Sequence, residues 1–184
     1  MISIIGIVDV GLLQNILNQT FGSSIFIVGN SNLQTPPEYY IEYSDTTPSQ
    51  DVDQALLISQ EQVELCLNDT KLRLYQTIQI VANKQIASIE IPNFTDAEIQ
   101  SASDWLQNQS LPVPACVSYL SLVKSITNVQ SADYIVNSKT YYNDLINQAK
   151  TLQTQGQTAV MDSTDTYSAK IVAGNYMAQI KNIS

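Results

Sequence analysis

Apolar residues in this chain follow two periods, and the change falls near Pro92. Through "SSIFIVGN", "PPEYYIEYS", "EQVELCLNDTKLRLYQ" and "IQIVANKQIASIEIP" they come in short β-branched or aromatic runs, several of them alternating as half-buried strands do. Val63, Leu65 and Leu67 set against Leu72 and Leu74, with the turn residues "NDT" between, predict a hairpin. A second hairpin through "ANK" would pair Ile78 and Ile80 with Ile86, Ile89 or Ile91. Helix is expected over about 51–59, where "DVDQALLISQEQ" has helical spacing, and strand after 62. The opening "MISIIGIVDVGLL" predicts a buried strand followed by a short helix.

After Pro92 the period is helical. "FTDAEIQSASDWLQNQ" carries Thr95 and, three residues on, Glu98, which is the signature of a capping box. "LPVP" then interrupts the chain, because Pro112 and Pro114 each lack an N–H and restrict the residue before them. "ACVSYLSLVKSI" predicts a second helix with Val117 and Leu120 on its inner side, and Ser131 is the expected cap of a third. From there to about Lys181 no proline occurs, and only Gly156 and Gly174 weaken a helix strongly. Roughly 50 residues of helix would be about 75 Å long, so the segment must fold back, with Gly156 the expected place, or leave the body of the protein.

Within that segment Tyr142, Leu145, Ala149, Leu152, Gly156, Ala159 and Ser163 recur at alternating spacings of three and four, the seam of a left-handed coiled coil. Such a helix needs neighbours, since an isolated one is marginal in water. They come either from a helical hairpin within the chain or from other copies of it. The expected fold class is therefore α+β: an acidic, antiparallel strand-rich region over 1–92, then a helical region over 93–184 with a long helix or helical hairpin for packing and assembly.

Composition sharpens the picture by what it removes. Of 184 residues 44% are hydrophobic, an ordinary share, but only 14% are charged against about 25% in typical soluble domains. Gln, Asn, Ser and Thr supply the polarity, and such a surface tolerates close approach to another protein. The net charge of -9 is uneven: residues 1–70 hold nine acids and no Lys or Arg, whereas 71–184 are balanced. An acidic half and scattered bases disfavour nucleic acid. The first segment has Asp9 inside its apolar run and no basic start, which argues against a signal peptide, and no segment approaches the roughly 20 apolar residues of a membrane span.

Candidate chemistry is thin. There is no histidine, and Cys66 and Cys116 stand 50 residues apart among apolar neighbours, so zinc is not expected and buried free thiols are. Asp51 and Asp53 would not converge on a strand or on a helix, and beside Pro48 and Ser49 they read as a helix start. Asp162 and Asp165 in "MDSTDTY" lack the glycine and terminal glutamate of a calcium loop and read as a solvated helix face. No phosphate-cradling glycine motif is present. Tyr39, Tyr40 and Tyr43 form an aromatic cluster that would suit a sugar or a protein, although aromatic residues also simply populate strands. No cofactor, metal or small-molecule substrate is expected.

The segment "LPVPACVSYLSLVKSITNVQSADYIVNSKTYYNDLINQAKTLQTQGQTAV" resembles helical blocks of tailed-bacteriophage virion structural proteins. The shared features are a proline-led helix, a Ser/Ala-Asp start, Tyr142 with Leu145, and Gly156 followed by small residues. The low-charge, Gln/Asn/Ser/Thr-rich composition is similar to virion proteins as well. The resemblance implies a non-enzymatic head, neck or tail component, made in the host cytoplasm and incorporated into the virion, that forms homo-oligomers and contacts other virion proteins. The alternatives are a receptor- or glycan-binding fibre accessory that uses the tyrosines, and an assembly chaperone.

Overall fold

A computed structural model describes residues 2–5, 9–30, 38–90 and 93–183. The chain is mainly helical: β1 (Ile2–Ile5), α1 (Val10–Phe21), a short 3-10 turn, β2 (Ile25–Asn30), β3 (Glu38–Tyr43), α2 (Ser49–Ser88), α3 (Asp96–Gln107), α4 (Ala115–Lys124), α5 (Asn128–Met161) and α6 (Thr166–Lys181). This corrects the expected α+β class. The hairpins predicted after 62 are instead part of one 40-residue helix as far as Ser88; Ile89 follows its end and Ile91 lies outside the described residues. The reason lies in geometry. A helix puts Val63 and Leu67 on one face and Leu65 on the other, so over five residues its pattern coincides with strand alternation. Chain length decides between them, since no glycine or proline interrupts 49–90 and Gln, Leu, Glu and Lys all favour helix.

Packing divides the chain into two units that differ from the expected boundary at residue 92. One comprises Met1–Val81 with Leu152–Ile180, the other Ala82–Thr151 with Lys181–Ser184. In the first unit β3 lies between β1 and β2 and is antiparallel to both, with Ile2 opposite Ile41 and Ile25 opposite Tyr43. Asp9 caps α1 by accepting the Leu12 N–H at 2.9 Å, and Gly22 ends it with a φ of 65°, which costs a residue without Cβ little. Leu13 and Leu17, one turn apart, are buried with Ile25, Ile41 and Ala55; Phe21, Tyr43, Ile58 and Val63 pack around them.

Further along the same unit α2 runs beside the end of α5. Lys71 Nζ donates to the Met161 carbonyl at 2.8 Å and Gln157 Nε2 to the Tyr75 carbonyl at 3.3 Å, so numbers rise on one helix as they fall on the other and the pair is antiparallel. The Lys71 ammonium thereby sits at a helix C-terminus, where the exposed carbonyls favour a cation. The chain turns back after Met161, and Asp165 starts α6 by accepting the N–H groups of Tyr167 and Ser168, both at 2.9 Å. The reversal therefore comes beyond Gly156, at a cluster of Asp, Ser and Thr whose side chains bond their own backbone. Asp162 and Asp165 accordingly belong to a turn and a cap, which corrects their reading as a helix face.

In the second unit both halves of the capping box form: Thr95 Oγ1 accepts the Glu98 N–H at 3.2 Å, and Glu98 Oε2 accepts the Thr95 N–H at 2.8 Å. Ala102 and Trp105 of α3 are buried with Val117 and Leu120 of α4 and Ala132 and Ile135 of α5. α5 begins at Asn128, earlier than expected, because Thr127 and Gln130 repeat the reciprocal cap; Ser131 is buried inside the helix.

Candidate functional site

Six of the seven seam residues lie on α5 and Ser163 lies in the turn after it, and none of the seven is fully exposed. Ala149 and Gly156 are buried, and Tyr142, Leu145, Leu152, Ala159 and Ser163 are half-buried. Gly156 shows why the seam is made of small groups: a Cβ there would lie 2.8 Å from Cβ and Cγ of Tyr176 in α6 and 3.4 Å from Cδ1 of Ile78 in α2. Backbones approach closely at that point, and the close approach is internal to the chain. Surface available to another protein must be sought elsewhere.

The tyrosines of β3 do not form one cluster. Ile41 is buried and Tyr43 packs on the same core, so strand alternation turns Tyr40 to the opposite face. The side chain of Tyr39 lies outside the described residues. Asp51 belongs to the first turn of α2, as its sequence context suggested. Cys66 and Cys116 are both free and half-buried. Among the described residues no group of three or more His, Cys, Asp or Glu side chains comes together. No helix among them is long and apolar enough to cross a membrane.

Two helix faces stand out instead. α4 buries Val117 and Leu120, yet Tyr119, Leu122 and Val123 on its other side are 70%, 79% and 62% exposed. They are spaced three and four residues apart, so they form one surface, and the exposed Leu111 and Val113 precede them in the chain. Between these two apolar faces Ser118 and Ser121 leave only a narrow polar edge. α2 carries the second face. Leu57, Leu65, Leu72 and Ile80 are each more than half exposed, on the side away from the buried Val52, Ala55, Ser59 and Ile78. The sequence shows the apolar positions themselves, at 116, 117, 119, 120, 122 and 123 of α4 and at 57, 65 and 72 of α2, but not which of them face water.

An open cleft of about 420 Å³ in the second unit is lined by Glu90, Lys124, Tyr134, Tyr141 and Leu145 among others. The Lys124 ammonium lies 4.8 Å from the centre of the Tyr134 ring, a cation–π contact that ties the end of α4 to α5. Among the described residues two carboxyls have a lowered pKa, Glu98 in the capping box of α3 and Asp165 at the start of α6. Hydrogen bonds from Thr95 hold Glu98 below the usual range, and hydrogen bonds from the Ser168 hydroxyl and N–H do the same for Asp165. These shifts report helix starts.

No family model matches this chain, and neither curated proteins nor solved structures give a match.

Proposed function

We propose that the protein is a non-enzymatic structural component of a tailed-bacteriophage particle, in its head, neck or tail, and that it works by protein–protein assembly. The observation that carries this reading is α4, whose exposed Tyr119, Leu122 and Val123 leave a helix apolar on both sides. Fully exposed apolar side chains forgo roughly 1.5–3 kcal/mol each relative to burial, so a contiguous set marks a contact surface. The sparse charge of the chain supports the same reading, because little must be desolvated or neutralised when such a surface is covered. Within the reading, α4 docks on a second, apolar surface of the particle, and the resemblance of 111–160 to virion helical blocks supplies the setting.

The test is the protein content of purified particles made from the genome that encodes the chain. Recovery in fixed stoichiometry, lost in a Leu122→Asp variant that keeps its circular dichroism spectrum, is the expected result. Presence during assembly but absence from finished particles would replace this reading with an assembly chaperone.

A further inference from the structure

The outer face of α2 carries more information than its exposure. The four large apolar residues that are more than half exposed on it are symmetric about a point between Asn68 and Asp69: Leu65 and Leu72 stand equally far from it on either side, and so do Leu57 and Ile80, while the less exposed Tyr75 has no apolar counterpart. A two-fold interface requires this kind of self-complementarity, in which residue i meets j and j meets i. Charge along the helix has the matching polarity. Asp51, Asp53, Glu61, Glu64 and Asp69 fall in the first part without a base, and Lys71, Arg73 and Lys84 in the second without an acid. This order suits the macrodipole of a lone helix, but the macrodipole gives no reason for leucines to face water.

We infer that a second copy of this chain covers this face, with the two α2 helices antiparallel and the two-fold axis near Asn68. Leu65 of each copy then packs on Leu72 of the other, and Leu57 approaches Ile80. The acidic first part of one helix lies against the basic second part of its partner. A parallel pair would set Glu61 and Glu64 beside their own duplicates, which opposes it. Arg73 is already held at 2.8 Å by Asp69 of its own helix, with both side chains well exposed, so its remaining donors face outward. Lys71 stays on the Met161 carbonyl. The apolar spacings of eight, seven and eight average more than two turns of 3.6, so the stripe drifts around the helix and the partners cross at an angle, making their closest contact at Leu65 and Leu72. One helix crossing covers less than the roughly 800 Å² per partner of a stable interface, so dimerisation is concentration-dependent.

This inference adds a named partner to the assembly reading and stands on a different helix from the one that carries that reading. The test uses the full chain with Cys66→Ser and Cys116→Ser, into which single cysteines are placed and oxidised. Asn68→Cys is expected to cross-link to itself; Leu65→Cys and Leu72→Cys, at the closest contact, are expected to cross-link when mixed and hardly at all alone. Light scattering should show a dimer that dissociates on dilution, with Leu65→Glu weakening it at least tenfold and Leu122→Asp leaving it intact. Self-cross-linking at 65 and 72, a monomer at every concentration, or a dimer that survives Leu65→Glu would each overturn the inference. A monomer would leave the role of α4 standing, whereas a dimer absent from particles would remove the virion reading alone.

Discussion

The two longest helices, α2 and α5, treat their apolar residues in opposite ways. α5 turns its small residues inward, with Ala149 buried and Gly156 in contact with α6, so its stripe closes the chain on itself. α2 uses Val52, Ala55 and Ile78 for the same purpose and still leaves large leucines in solvent. Small side chains allow close approach and are consumed by it, whereas large ones left over after the interior is filled mark a contact still to be made. A seam of three-and-four spacing does not by itself say whether the neighbour is the same molecule or another.

That contrast can be broken from the inside first. Ala149→Glu places a carboxylate at a fully buried position and should lower unfolding free energy by about 4 kcal/mol in a urea titration, a loss reserved for uncompensated buried charge. Gly156→Ala should cost about 1–3 kcal/mol by the same measurement, because its Cβ meets Tyr176 at overlapping distance. If either variant retained full stability and lost only an intermolecular contact, the inward assignment of the α5 seam would fail. Asp165→Ala removes the cap of α6 and should cost about 1 kcal/mol. The Asp165 pKa is lowered in the folded chain, so its contribution is present above the ordinary carboxylate range and lost as pH falls through the folded value. Stability of Asp165→Asn should accordingly fall less steeply on acidification than that of the parent. Leu57→Gln should change monomer stability least, within about 0.5 kcal/mol, since its side chain faces water.

What the sequence revealed depended on whether a signal was local. Thr95 with Glu98 predicted a cap that needs nothing outside one turn of chain, and the cap is there. Pro112 and Pro114 marked the break before α4 for the same reason. The stretch from Ser49 to Ser88 is ambiguous in sequence because short windows around Val63 and Leu72 fit both periods, and only the 40 residues taken together distinguish them. Gly156 was read as a bend because its cost within a helix is visible in sequence; its close approach to Tyr176, 20 residues away, is not. The exposure of Leu65 and Leu122 was likewise invisible, since a leucine at helical spacing looks the same whether it faces a core or water.

The Lys71 contact with the Met161 carbonyl joins residues 90 positions apart. At about 5–20 residues per second on a ribosome, the α5 end of that contact is synthesised roughly 5–20 s after α2. During this interval Ala55, Ile58 and Val63 of α2 already have α1 and the strands to pack against, whereas the helix around Lys71 and Tyr75 has not yet met α5. The two ends of the long helix α2 therefore gain their inner neighbours at different times, the first from chain made before it and the later part only when the end of α5 has been made.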